Sequence, residues 1–153
     1  MLQVYERVSP VAGLKVDLSL CLPFDERKKS RLKALAESGE TLGLILPRGK
    51  TLKDGDLLKS DCGRVIVVKA AEETVSRVTC HDAHLLMRCA YHLGNRHVPL
   101  QIERDALIYQ QDDVLDDMVT RLGASVMVLQ HPFDPEDGAY SEGHHHSGHA
   151  HED

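Results

Sequence analysis

With 153 residues, 24 acidic against 18 basic side chains and a formal charge of −6, the chain is the size of one domain or two small ones. Its charge excludes the basic surface that nucleic acid demands and suits cations or basic protein surfaces instead. No apolar run reaches eighteen residues, and the opening MLQVYERV has neither the basic lead nor the apolar stretch of an export signal, so a soluble, cytoplasmic protein with no membrane partner is expected.

Residues 1–71 read as short strands between turn signals. Val16, Leu18, Leu20 and Leu22 alternate with polar positions, Thr41 to Leu46 is a second run stopped by Pro47-Arg48-Gly49, and Arg64 to Lys69 is a nearly continuous apolar strand beyond the turn Lys53-Asp54-Gly55-Asp56. A small all-β domain is expected, with a partner- or peptide-binding role. Glu26 to Glu37 conflicts with it, being built from strong helix formers with Leu32, Leu35 and Ala36 at helical spacing.

The texture changes near Glu72, and residues 72–141 form the second expected domain. Thr74 to Val78 predicts a strand and Asp82 to Leu93 a helix whose apolar face is Leu85, Leu86, Cys89, Ala90 and Leu93. Gly94 is placed to close that helix and Asn95 to take a positive-φ turn. Val98, Leu100 and Ile102 predict one buried face of a strand, followed by a turn at Arg104-Asp105 and a strand from Ala106 to Gln110. Val114, Leu115, Met118, Val119 and Leu122 form a second helical stripe capped by Gly123, and Ser125 to Leu129 a last strand. The order β-α-β-β-α-β is that of a ferredoxin-like α+β domain. Periodicity stops after Gln130, and residues 142–153, made of glycine, serine, acid and histidine, are expected to be a disordered tail.

With no tryptophan and two phenylalanines, both cores are expected to be aliphatic. Cys21, Cys62, Cys80 and Cys89 never form a Cys-x-x-Cys pair, so they are expected to be small buried hydrophobes rather than disulfide partners.

Histidine carries the chemistry. In the tail, His144, His145, His146, His149 and His151 put five imidazoles within eight positions, a ligand type suited to nickel, copper and zinc. The Ser-Gly and Ala interruptions set the tail apart from an unbroken purification tag. His97 sits in a short connector between helix and strand, where a ring can be aimed at low entropic cost. One imidazole holds a divalent ion weakly, but a two-fold dimer brings two copies together across its axis, and tail histidines can complete the shell. Arg96 is placed to pair with an acid and Pro99 to pin the exit. His81, His84 and His92 read as a solvated helix face, because the tempting Cys80–His84 pair has no second pair to complete a zinc set. Asp116-Asp117 diverge by ~100° on a helix and do not converge on one ion. No hydrolase elbow, phosphate loop or zincin motif occurs, so no enzyme is expected and no catalytic residue is assigned.

The string YHLGNRHVPLQ, the later Val114-Leu115-Asp116-Asp117-Met118, and Pro132-Phe133-Asp134-Pro135-Glu136-Asp137-Gly138-Ala139-Tyr140 together resemble the UreE family of urease accessory nickel chaperones. The match spans about half the chain in the right order and ends in a histidine-rich tail such as many members carry. The resemblance implies a strand within Glu26–Glu37, paired through Ser38-Gly39 with the strand at Leu42. It implies that His97, the last residue of a Gly-Asn-Arg-His motif, is the metal ligand at the interface of a homodimer. It further implies nickel as the ion, with zinc or copper as competitors, and delivery to apo-urease through a complex with the accessory GTPase. In some members the stretch matching Tyr109 to Asp113 carries histidines; here it is glutamine and aspartate, and those accessory sites are not carried over. Two rivals stand beside this expectation. One is a histidine-rich nickel or zinc store, which leaves the His97 loop unused; the other is a metal-dependent hydrolase, which lacks a base.

Overall fold

A computed structural model describes residues 1–139. The chain forms two compact units that are not contiguous in sequence: among the described residues the first holds Met1–Leu20, Asp25–Val68 and 137–139, the second Cys21–Phe24 and Lys69–Glu136.

The first unit is built on a six-stranded sheet. Its elements are β1 (Leu2–Val8), β2 (Leu18–Leu22), the one-turn α1 (Phe24–Arg27), β3 (Arg31–Leu35), β4 (Thr41–Ile45), β5 (Leu57–Ser60) and β6 (Val65–Ala70). The order across the sheet is β2-β6-β5-β1-β4-β3, with β1 and β4 parallel and the β1–β5, β3–β4 and β5–β6 pairs antiparallel. Leu18, Leu20 and Leu22 all point inward, as their alternation predicts, while Val16 before them is exposed. Leu18 and Leu20 join Val4, Leu42, Leu44, Leu58, Ile66 and Val68 among the buried apolar side chains of this unit.

Residues 26–37 resolve the conflict of propensities in favour of the strand. Only α1 is helical, and it stops where Arg27 is buried, its Nη1 donating to the Leu52 carbonyl at 2.9 Å while the Leu52 amide returns a bond to the Arg27 carbonyl. From Arg31 the chain pairs with β4 in register Leu32↔Leu44 and Ala34↔Leu42. Leu32, Ala34 and Ala36 turn inward and Arg31, Lys33 and Leu35 outward, so the segment carries a period of two as well as one of 3.6, and the ladder with β4 selects between them.

The second unit comprises β7 (Glu72–Thr79), α2 (Ala83–Asn95), β8 (Gln101–Ile102), β9 (Leu107–Gln110), α3 (Asp113–Leu122) and β10 (Ser125–Pro132). Its sheet runs β10-β7-β9-β8, every neighbouring pair antiparallel. One face carries the core of Val78, Cys89, Leu93, Leu107, Tyr109, Leu115 and Val119. Residues of the opposite face, Val75 and Ile108, pack with Phe24 and Phe133, whose rings meet edge-on with centroids 5.5 Å apart. The two phenylalanines are thus concentrated at one spot, and the second unit is aliphatic only on its helix side, where Tyr109 is the exception.

The strand predicted from Val98 shrinks to Gln101–Ile102, because Pro99 has no amide to give a ladder, and Ile102 is exposed while Leu100 is buried. Val114 lies on the exposed side of α3, and the buried stripe is Leu115 and Val119. β10 continues to Pro132, pairing His131 with Glu73 and Pro132 with Glu72 past the point where periodicity fades. Of the cysteines only Cys89 is buried; Cys80 is half-buried and Cys21 and Cys62 are exposed, and all four are free thiols.

Candidate metal centre

The candidate centre is set by how α2 ends. Its start is fixed by Asp82, whose side chain caps the helix by accepting the His84 amide at 3.0 Å. Leu85, Leu86, Cys89, Ala90 and Leu93 form the inward face, Cys89 and Leu93 fully buried, so the apolar stripe read from sequence is the one that packs.

The helix does not stop at Gly94. It runs through Asn95, with Arg96 as its cap, and the left-handed residue is His97 at φ 59°. The His97 amide donates to the Gly94 carbonyl at 2.9 Å and the Val98 amide to the Leu93 carbonyl at 3.4 Å. These are the two bonds of a Schellman ending, with His97 in the place that glycine usually takes. α3 ends in the same way, Gly123 donating to Thr120 and Ala124 to Val119, each at 3.0 Å, with Gly123 at φ 111°. Gly94 and Asn95 therefore do not supply the turn, and Gly94 is an ordinary helical residue around which a Cβ would meet nothing within 4 Å. Arg96 is exposed and forms no ion pair among the described residues; backbone bonds, not a salt bridge, hold the loop. Beyond it, buried Leu100 anchors the exit, its carbonyl accepting the Glu136 amide at 2.8 Å.

The result is an exposed imidazole on a backbone pinned from both sides. Among the described residues no three of histidine, cysteine, aspartate or glutamate converge as a metal-binding group. His81 precedes α2, His84 and Arg88 lie on its exposed side, and His92 is half-buried with its ring edge-on to Tyr91. Exposed Met87 and Tyr91 stand one turn apart on the same helix. His144, His145, His146, His149 and His151 lie outside the described residues.

Two clusters escaped the sequence. Asp116 Oδ1 accepts the hydroxyls of Ser76 and Tyr109, each at 2.6 Å, and Oδ2 accepts Gln111 Nε2 at 3.0 Å, whereas Asp117 turns away to Arg121 at 2.8 Å. The divergence predicted for the two aspartates holds, and Asp116 is a structural acceptor that binds α3 to the sheet. Burial, and next the Asp116 carboxylate, hold the Tyr109 phenol far above its ordinary range, so it is a permanent donor. Cys80, expected to be a small buried hydrophobe, is half-buried against the cluster that contains Cys89. Nine residues separate the two in sequence, a spacing that signals nothing until β7 and α2 fold together.

The family model described as the UreE urease accessory protein N-terminal domain matches residues 4–71, and that of the C-terminal domain residues 73–153. The chain belongs to the UreE urease accessory protein family. UreE relatives cover nearly all of it. The urease accessory protein UreE of Saccharophagus degradans is 49% identical over 142 residues, spanning 92% of this chain and 84% of the relative. That of Tolumonas auensis is 55% identical over 130 residues, 84% and 69% of the two chains. That of Proteus mirabilis is 54% identical over 126 residues, 82% and 78%. As a UreE chain it is an accessory protein of urease and not an enzyme. No helix among its described residues is long and apolar enough to cross a membrane.

Proposed function

We propose that this UreE chain is a nickel metallochaperone that takes Ni(II) as cargo, holds it between two copies of His97 across the axis of a homodimer, and passes it through the accessory GTPase complex to apo-urease. The observation that carries this reading is the ending of α2. An exposed imidazole sits where glycine is the economical residue, and a left-handed backbone at a residue bearing a Cβ costs about 1–2 kcal/mol. Such strain persists where the side chain is needed in that direction. One such ring without neighbouring ligands binds an ion weakly, and a second copy of the chain supplies the second ring.

His144, His145, His146, His149 and His151 then complete the coordination shell and gather ions. Coordination by imidazole suits transfer, since neutral nitrogens release the ion on protonation or on exchange with a receiving ligand. Zinc and copper compete for the same donors. In this reading residues 72–141 are a ferredoxin-like domain, supported by the strand order β10-β7-β9-β8 with α2 and α3 as its two helices. Residues 1–71 bind a protein partner, residues 142–153 are a metal-gathering tail, and the protein works in the cytoplasm.

The test is urease activity across a nickel series in cells carrying either His97→Ala or a deletion of the residues after Glu142, at matched protein level. His97→Ala is expected to depress activation at every nickel level, and the deletion mainly when nickel is scarce. The opposite ranking would replace delivery with storage.

A further inference from the structure

β7 turns alternate side chains toward the helices. Ser76 reaches Asp116 of α3, and Val78 enters the cluster that contains Cys89. Cys80, two residues on, continues along that side. It packs, half-buried, against the cluster that holds the fully buried Cys89 of α2, near enough to that thiol to raise it electrostatically. Two free thiols at one cluster, one half-buried and one fully buried, form an arrangement different from that of a lone cysteine.

We propose that Cys80 and Cys89 are a modification site at which a peroxide makes an intramolecular disulfide tying the β7–α2 connector to the buried face of α2. The Cys80 sulfur attacks the peroxide, the O–O bond breaks, and sulfenic acid and water (or an alcohol) form. The Cys89 sulfur then displaces hydroxide from that sulfenic acid, forming the S–S bond and releasing a second water with the thiol proton. The peroxide takes up the two electrons that the thiols lose. The order follows from access and charge. Burial, then the neighbouring Cys80, push the Cys89 thiol up to about 11, so Cys89 stays protonated near neutrality and Cys80 meets the oxidant first. The site stands apart from the His97 loop and from the reading of that loop as a nickel centre.

The experiment uses the full chain, freed of metal by chelation and treated with hydrogen peroxide, then denatured, alkylated and digested with trypsin. Cleavage after Arg77, Arg88 and Arg96 separates Cys80 and Cys89 into the peptides Val78–Arg88 and Cys89–Arg96. The expected product is these two peptides joined, two hydrogens lighter than their sum and parted by reductant, from protein that runs as a single chain on a non-reducing gel. Cys80→Ser is expected to leave Cys89 fully alkylated. Cys89→Ala, and Cys89→Ser as a second version, should let Cys80 pass on to sulfinic acid. The proposal fails if wild-type Cys89 is alkylated after peroxide treatment, whether Cys80 is then sulfinic, linked to another molecule or still a thiol.

Discussion

At the end of α2 the chain places a glycine inside the helix and a histidine in the left-handed turn, the reverse of what backbone energetics favour. A Cβ at Gly94 would touch nothing, and glycine in a helix interior costs about 0.8–1 kcal/mol relative to alanine. Gly94→Ala is therefore expected to raise the unfolding free energy by about 0.8 kcal/mol in urea titrations, an outcome impossible if Gly94 were the helix stop. His97→Gly should likewise stabilise the fold by about 1 kcal/mol, with the gain trimmed by the extra freedom of glycine in the unfolded chain. It should also weaken nickel binding in equilibrium dialysis. A loss of stability would show instead that the ring is kept for packing. At Gly123, φ of 111° and a Leu85 methyl only 3.3 Å from a built Cβ make alanine costly. The sequence identified His97 as the loop residue but misplaced the turn by three positions. Glycine is the commonest left-handed residue, and nothing along one dimension shows that Leu93 must stay helical to bury its side chain and present its carbonyl to Val98.

Among the elements, α3 depends on one carboxylate. Asp116→Ala would strand the buried hydroxyls of Ser76 and Tyr109 and is expected to cost about 2–4 kcal/mol, each unpaired buried group contributing about 1–3. Preserved stability in urea would mean that other acceptors or water replace it. The same helix-side core sets a limit at alkaline pH. Cys89 is raised from 9.0 to about 11 and Tyr109 rises from its ordinary value of 10.0, burial being the first cause of both. The folded chain then keeps protons that the unfolded chain releases, so the Cys89 contribution is whole below pH 9 and is lost as pH climbs through about 11, while that of Tyr109 begins to fall only above its ordinary value of 10.0. Thermal midpoints from pH 8 to 11 should fall, and less steeply in Cys89→Ala; equal slopes would remove Cys89 from the explanation. The order of elements in this unit was legible because α2 and α3 carry clear apolar stripes. Strand lengths were not, since β10 gains its last residues from pairing with Glu72 and Glu73 and β8 loses its first to Pro99. The tie from Asp116 to Ser76, forty residues away, was hidden for the same reason: it is a product of the sheet.

For the whole molecule, the proposed centre fixes a stoichiometry. Calorimetry is expected to give one tightly bound nickel ion per dimer, abolished by His97→Ala, with weaker ions lost when the residues after Glu142 are removed. A tight ion per monomer that survives His97→Ala would defeat the shared site. The sequence showed two domains by their texture, strands before Glu72 and alternating elements after it. It did not show that Phe24, from the first half, completes the second unit by packing on Val75, Ile108 and Phe133 and donating its amide to Glu73 at 2.7 Å. This has a consequence for how the chain is made. Phe24 leaves the ribosome 49 residues ahead of Glu73, and Ile108 and Phe133 follow later still. The early segment must carry an uncovered aromatic ring while the first sheet assembles beside it. A fragment beginning at residue 73 never receives that ring, and it should emerge less soluble and melt lower than the same residues within the full chain.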